Sequence, residues 1–596
     1  MFPVLRLSLL LATVNGLVAP SLPVSSPSAP FPSLPVSWPS TSLPASSTAP
    51  SPLPEKGFPS SYAPLSGACP KEPLVRPASG LSDNEESYRI GRKVVADLAL
   101  GDWLKKTNPR FSTKNLPTVN ITSIDSQANA NRLKVALTTS GGGTRSLLLG
   151  AGVIQGLDAR DSNVSTAGLF QGLSYHAGLS GGGWLLSSFV GNNYPTISYL
   201  RDNLWEKAFQ NGLGLPGNLL AAAAYVPITN DLLVKQLAGY DVTLTDPWGR
   251  LLSYQLLLGA NGGVQKTLSS ITGLSNFTSH NVAFPVITSL GVKTWLGECL
   301  PGPNATTYEF TPYEFGSWDP DVSAFTSTKY LGTSLKNGQP TGAKCTTNYD
   351  NLGYILGTSR SLFNEACVVI PPQDSITSLD STLSVLVRKI HKVGTSDLYA
   401  KYSNPFYQYS SSSGFQNPAN NVSAQKSLSL VDGGEALQNN PIFPFLVPAR
   451  NISAIIVNDN SADSSNNFPN GSEILTTYVQ SFNQGLTRMP FIPSVEIFIA
   501  EKLNQRATFF GCNDNSKVII VYIQNFNFTF ASNIPTLQPV YLKSETAAMI
   551  ANGVAMADQN GKEGWATCLG CALVENTGED LPEECTACFE EYCYNG

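Results

Sequence analysis

Gly178-Leu179-Ser180-Gly181-Gly182 stands between Gly172-Leu-Ser-Tyr-His-Ala177, which reads as a short strand, and Trp184-Leu-Leu-Ser-Ser-Phe-Val190, which reads as the opening of an apolar helix. That order is the setting of a nucleophile elbow, a strained strand-to-helix turn that exposes a serine hydroxyl and leaves no room for flanking Cβ atoms. Ser180 is therefore a candidate nucleophile, and the question becomes which group takes its proton.

The chain holds only three histidines. In the order serine, acid, histidine of the α/β-hydrolases the histidine follows the serine, which leaves His280 and His391. His391 lies in Leu386-Val-Arg-Lys-Ile-His-Lys392, a basic-faced helical stretch, and His280 lies beside the sequon Asn276-Phe-Thr278, in what reads as a surface loop. Orders with histidine first leave His176, in the same strand as the turn, where its side chain would project from the sheet rather than reach over the serine. A desolvated carboxylate can do the work instead, provided it is within hydrogen-bond reach of the hydroxyl. The best candidate is Asp432, where the alternating strand Ser427-Leu-Ser-Leu-Val431 runs into Asp432-Gly-Gly-Glu435.

A second glycine-rich turn lies upstream. Ser140-Gly-Gly-Gly-Thr-Arg145 separates the strand-like Leu133-Lys-Val-Ala-Leu-Thr138 from the helical stretch Ser146-Leu-Leu-Leu-Gly-Ala-Gly-Val-Ile-Gln155. Such a loop aims backbone N–H groups from the positive end of a helix dipole, which suits an oxyanion or a phosphate. The Lys-Ser/Thr ending of a P-loop and the Gly-x-Gly-x-x-Gly spacing are both missing, so a nucleotide site is not indicated. Arg145 sits at the helix start, where a cation is unfavourable to the dipole unless an anion accompanies it.

Taken in order, Ser-Gly-Gly-Gly-x-Arg, Gly-Leu-Ser-Gly-Gly-x-Trp and Asp-Gly-Gly resemble the fungal lysophospholipase or phospholipase B family, whose catalytic domain is shared with the cytosolic phospholipases A and, more distantly, with patatin. Leu81-Ser-Asp-Asn-Glu-Glu-Ser87, Phe310-Thr-Pro-Tyr-Glu-Phe-Gly-Ser-Trp318 and the terminal Cys585-x-x-Cys588 with Tyr592-Cys-Tyr-Asn-Gly596 carry the same likeness. The resemblance implies an α/β fold: a central mixed sheet flanked by helices, a nucleophile elbow, and a cap inserted within about 195–420, between the nucleophile and the aspartate. It implies a Ser180–Asp432 dyad, an oxyanion hole from Gly142, Gly143 and Gly181, and Arg145 on the phosphate of a lipid head group. It further implies hydrolysis of lysophospholipid acyl esters, with activity on diacyl phospholipids in addition. Nothing resembles the calcium-dependent lipid-binding domain of cytosolic relatives, so no cofactor or metal is expected. Two other readings are a histidine-dependent esterase and a glycosylated wall protein on a hydrolase scaffold.

Residues 1–19 have the charge, apolar run and small-residue end of a secretory signal peptide, and the apolar run is too short to span a bilayer. Eight sequons, at Asn120, Asn163, Asn276, Asn304, Asn421, Asn451, Asn470 and Asn527, fit passage through the secretory pathway. Ten cysteines, Cys69, Cys299, Cys345, Cys367, Cys512, Cys568, Cys571, Cys585, Cys588 and Cys593, allow five disulfides in a secreted chain. Two Cys-x-x-Cys pairs in the tail copy a zinc-ribbon spacing, but secretion favours disulfides. The odd count in the tail, 565–596, requires at least one bridge to an earlier cysteine. No hydrophobic tail follows, so a glycosylphosphatidylinositol anchor is not expected.

Charged residues make up 13% of the chain, with a net charge of −6 and no long basic run, which excludes the electrostatic footprint of a nucleic-acid binder. The expected partner is a lipid substrate in micelles or membranes, with no obligate protein partner evident. Asp459-Asn-Ser-Ala-Asp463 lacks the glycine and distal glutamate of a calcium loop and reads as a solvated turn. Residues 20–67 are Pro/Ser-rich, with 14 of the 42 prolines between Pro20 and Pro70, and read as a disordered tether. The catalytic domain is expected over 68–596. Within it Asn218-Leu-Leu-Ala-Ala-Ala-Ala-Tyr-Val226 and Leu251-Leu-Ser-Tyr-Gln-Leu-Leu-Leu258 are apolar at helical spacing, and Ala454-Ile-Ile-Val457 and Lys517-Val-Ile-Ile-Val-Tyr522 read as buried strands.

Overall fold

The runs Ala454–Val457 and Lys517–Tyr522, read from the sequence as buried strands, lie in the strands Ala454–Asp459 and Ile519–Gln524, which are buried at every position and lie side by side in parallel. A strand covered on both faces needs no polar alternation, and parallel strands are the ones covered on both faces. They belong to a central mixed sheet in a computed structural model that describes residues 62–113, 133–210, 219–368, 382–409, 422–538, 540–577 and 580–596. These residues fall within the unit Pro59–Gly596. The signal-like segment 1–19, the Pro/Ser stretch as far as residue 61, and sequons Asn120 and Asn421 lie outside them.

The strands of the sheet are β1 (Val75–Pro77), β2 (Val135–Thr139), β3 (Leu173–Leu179), β4 (Phe284–Gly291), β5 (Thr307–Phe310), β6 (Glu314–Ser317), β7 (Ala324–Ser327), β8 (Ala400–Ser403), β9 (Ser427–Val431), β10 (Ala454–Asp459), β11 (Thr508–Phe510) and β12 (Ile519–Gln524). Their order is β11-β12-β10-β2-β3-β4-β5-β6-β7-β1, with β9 paired to the end of β4 and β8 paired to β9. From β12 to β4 the strands run parallel; beyond β4 they form an antiparallel meander. The register places Thr139 opposite Gly178 and Asn458, and Leu179 opposite Thr288, so the carboxyl ends of β10, β2, β3 and β4 open at one edge. That edge is where open α/β sheets hold their ligands.

Helices flank the sheet: α1 (Asp83–Thr107), α2 (Gly143–Leu157), α3 (Ser180–Gly191), α4 (Leu219–Leu237), α5 (Thr245–Leu256), α6 (Leu352–Thr358), α7 (Ser472–Asn483), α8 (Lys543–Ala557), α9 (Trp565–Val574) and α10 (Glu584–Tyr592). Helix α1 begins where Ser82 accepts from the Glu85 amide, carries acids in its first turn and ends on Lys105 and Lys106, which suits its dipole. Its buried Arg92 donates to the carbonyls of Leu173, Gln171 and His280. Its Glu85 shares the buried Arg450 with Glu309 of β5. Helices α2 and α8 touch backbone to backbone, since a Cβ on Gly152 would lie 2.1 Å from the Ile550 carbonyl and one on Gly553 would lie 2.3 Å from that of Leu149.

Tyr62–Gly67, expected within the Pro/Ser-rich segment, is bound to the core: Tyr62 is buried with its hydroxyl donating to Asp246 at 2.7 Å, and Leu65–Gly67 pairs with Cys345–Thr347. Composition hides this, because a single aromatic anchor suffices to fix a Pro/Ser-rich strand. Strands β4 to β8 lie within the interval 195–420, where the cap is expected. Its longest helices, α4 and α5, fall between residues 219 and 256.

All ten cysteines are paired, as Cys69–Cys345, Cys299–Cys367, Cys512–Cys593, Cys568–Cys588 and Cys571–Cys585. The bridge from the tail to an earlier cysteine is Cys512–Cys593. Asn163, Asn304, Asn451 and Asn527 are exposed, whereas Asn276 is half-buried with its amide donating to the Asn193 carbonyl at 2.8 Å. Among the described residues no helix is long and apolar enough to cross a membrane.

Candidate active site

Ser180 begins α3 directly from β3 with φ of 50°, a left-handed conformation that a non-glycine residue holds only when its surroundings impose it. Its amide donates to the Ser359 carbonyl at 3.1 Å and to the Ser359 hydroxyl at 3.0 Å. Its hydroxyl donates to Asp432 Oδ2 at 2.8 Å, across 252 residues of chain. Both side chains are deeply covered, Ser180 at 3% exposure and Asp432 at 4%.

Asp432 follows β9 and is fixed from two sides. Its Oδ1 accepts from the Gly434 amide at 2.8 Å, its own amide donates to the Ser361 carbonyl, and the Gly433 amide donates to the Ser359 carbonyl. Ser359 in turn donates its hydroxyl to the Thr288 carbonyl at the end of β4. One short segment, Ser359–Ser361, thus holds the Ser180 turn and the Asp432 turn together. Burial pushes the Asp432 carboxyl above its usual range; Arg360, the Gly434 amide and the Ser180 hydroxyl pull it partly back. The net direction makes it a better base than an exposed aspartate.

The glycine loop abuts this pair. A Cβ on Gly141 would lie 3.0 Å from Ser180 Cβ, and one on Gly181 would lie 2.1 Å from the Gly143 carbonyl. Gly142 and Gly143 have φ of 136° and 62° and lead into α2, whose first amides have no intrahelical acceptor. The loop is pinned by Asn439, which accepts from the Gly141 amide and returns its side-chain amide to the Gly141 carbonyl at 3.2 Å and Ser461 Oγ at 2.8 Å.

Arg145 is 1% exposed. Its Nε donates to the Asn460 carbonyl at 3.0 Å and Nη1 to the Ile534 carbonyl at 2.5 Å, which leaves Nη2 as the edge beside Gly142. Burial pulls its pKa down to about 10, so it stays cationic at neutral pH. The segment Asp459–Asp463 is not a solvated turn. Asp459 is fully buried, accepting from the Tyr522 hydroxyl at 2.7 Å, and the segment lies against the glycine loop because Asn460 also bonds Ser140. Burial pushes both Asp463 and Glu473 up, helped by Asp459 beside Asp463 and by Asp463 beside Glu473, and Glu473 accepts from the Asn439 amide at 2.9 Å.

The histidines lie elsewhere. His176 is buried against Thr139 Oγ1 at 3.1 Å, with its pKa driven down to about 3 by burial; His391 pairs with Asp397 at 3.2 Å; and His280 packs beside Tyr88 and Gly91 on α1. His280 is therefore half-buried against a helix, not on an open loop. Sequence reasoning missed Ser359, Arg360 and Asn439. Thr358-Ser-Arg-Ser361 has no periodicity or glycine signature to single it out, and Asn439 is one asparagine among many.

A serine at a strand-to-helix turn, hydrogen-bonded to a buried carboxylate on a neighbouring strand end, is the arrangement of an ester hydrolase on an α/β scaffold. Residues 135–596 match the family model described as the lysophospholipase catalytic domain. The chain is 36% identical over 571 residues to lysophospholipase 1 of Aspergillus fumigatus, covering 90% of this chain and 88% of that protein. It is 37% identical over 563 residues to lysophospholipase 1 of Candida albicans, with 90% and 89% covered. The fold is similar to that of human GIVD cytosolic phospholipase A2, with a TM-score of 0.63 at 16% identity over 85% of this chain and 69% of that one. The chain belongs to the lysophospholipase catalytic-domain family and is an enzyme that hydrolyses lipid esters.

Proposed function

We propose that the protein is a secreted lysophospholipase that uses Ser180 and Asp432 as a dyad and releases a fatty acid from lysophospholipids, with further activity on diacyl phospholipids. The observation that carries the reading is the 2.8 Å hydrogen bond from Ser180 Oγ to the buried Asp432 Oδ2. Asp432 accepts the hydroxyl proton as Oγ bonds to the ester carbonyl carbon; the tetrahedral oxyanion is held by amides of Gly142, Gly143 and Gly181. The carbon–oxygen bond to the glycerol breaks, the departing alkoxide takes the proton from Asp432, and an acyl-serine remains. Water then gives its proton to Asp432 and attacks the acyl carbon, freeing the acid and returning the proton to Oγ. Arg145 presents its Nη2 edge to the head-group phosphate while its other nitrogens hold the loop. Five disulfides and exposed sequons support secretion.

Labelling by a long-chain fluorophosphonate, followed by turnover of lysophosphatidylcholine, tests the dyad. Ser180→Ala is expected to abolish both, and Asp432→Asn to lower turnover by about 10²–10⁴-fold, the range of a general base. Full activity in Asp432→Asn combined with loss in His391→Ala would transfer the base to histidine. A wild-type protein that neither labels nor turns over would point to the wall-protein reading.

A further inference from the structure

Arg360 lies in the segment that joins the two halves of the dyad, and its own side chain is incompletely satisfied. Its carbonyl accepts from Trp248 Nε1 at 3.2 Å, and its guanidinium sits over the Trp184 ring at 5.7 Å from the centroid, so tryptophans hold it from two helices. Nη1 is 3.7 Å from Asp432 Oδ2, beyond a good hydrogen bond, and Nε is buried with no hydrogen-bond partner. The side chain as a whole is only 7% exposed. A buried donor without an acceptor is costly, and burying a charge more so, unless a partner arrives.

The surrounding charges do not supply that partner. Asp432 already receives the Ser180 hydroxyl and the Gly434 amide. Glu435 is bonded to Asn364 at 2.6 Å, and the ion pair that Arg360 makes is with Asp432, not with Glu435 or Glu365. Arg145, whose Nη2 lies beside Gly142, feels Arg360 as a like charge. Two like charges that repel each other near one site share an anion economically. Ser180 Oγ and Arg360 Nη1 lie 2.8 Å and 3.7 Å from the same carboxylate oxygen, a reach comparable with the glycerol carbons that separate an acyl ester from its phosphate.

We propose that Arg360 binds the phosphodiester of the substrate head group together with Arg145, and that the arriving anion releases Asp432 from the pull of the guanidinium. The proposal rests on the Ser180–Asp432 reading. It makes the base strongest when a phospholipid, rather than a neutral ester, is in place. Arg360 is then a specificity-determining residue as well as a positioning one.

The test compares lysophosphatidylcholine with a monoacylglycerol of equal chain length in the same mixed micelles, for wild type, Arg360→Gln and Arg360→Lys. In Arg360→Gln the ratio of the two kcat/KM values should fall by about 10- to 100-fold, the worth of a charge-assisted bond; Arg360→Lys should recover part of it. The acid limb, where rate falls as Asp432 protonates, should lie at higher pH in kcat than in kcat/KM for wild type on the phospholipid. The two limbs should coincide on the neutral ester, and in Arg360→Gln on either substrate. Equal losses on both substrates would make Arg360 a support for Asp432 alone and overturn the proposal, as would coincident limbs in wild type on the phospholipid. Fluorophosphonate labelling of each variant reports an intact site, and failure of the dyad reading would show separately as labelling that persists in Ser180→Ala.

Discussion

At the residue scale the site turns on one carboxylate taken out of water. An exposed aspartate is a weak base for a serine hydroxyl. Asp432 is buried, which raises its pKa, while Arg360 and two hydrogen bonds temper the rise. In the proposed dyad the working form is the carboxylate, so kcat/KM should fall as pH drops through a value above the ordinary aspartate range. A pH–rate profile checks this, and replacing Arg360 with Gln should move that limb further up by removing the opposing charge. An acid limb at or below the usual aspartate value would mean that desolvation does not set the base. His176 takes no part in this window, because burial keeps it neutral down to about 3.

At the element scale, glycine decides how closely the layers meet. Helix α2 carries the glycine loop, the proposed oxyanion hole, at its start, and it touches α8 through Gly152 and Gly553. A methyl on Gly553 would stand 2.3 Å from the Leu149 carbonyl, an atom of backbone that cannot rotate away. Gly553→Ala is expected to cost about 1–3 kcal/mol by overpacking and to shift the start of α2, lowering turnover along with the unfolding midpoint. Denaturation and steady-state kinetics on the same preparation measure both. The helical spacing in α5 and the unbroken apolar runs of β10 and β12 were legible because period and burial are local properties of a segment. The meander strands β5 to β7 were not, since each has only four residues and they lie in a stretch whose likeness pointed to an insertion.

At the scale of the whole molecule, α1 lies before the 135–596 family match yet is bound into the same core. Arg450 bonds Glu85 of α1 at 2.8 Å and Glu309 of β5 at 2.7 Å, all three side chains nearly fully buried. Removing the cation alone strands two buried carboxylates, so Arg450→Met is expected to destabilise by about 3–5 kcal/mol. The shift in denaturant midpoint reads this out, and a change under about 1 kcal/mol would place the network among the weakly contributing ion pairs.

The sequence alone determined the elbow at Ser180, the glycine loop before Arg145, the candidate Asp432 and the need for a bridge out of the Cys-rich tail. Each of these rests on local chemistry: a turn that needs glycine at 178 and 181, an apolar period, an odd number of cysteines. Only the tertiary structure brought Asp432 to Ser180, placed Ser359–Ser361 between them, paired the cysteines, and turned most of Arg145 toward the carbonyls of Asn460 and Ile534. Those outcomes depend on which strand ends the parallel crossovers bring to one edge. Contacts between residues hundreds of positions apart leave no mark in local pattern, so the partner of a buried charge is decided by the packing around it.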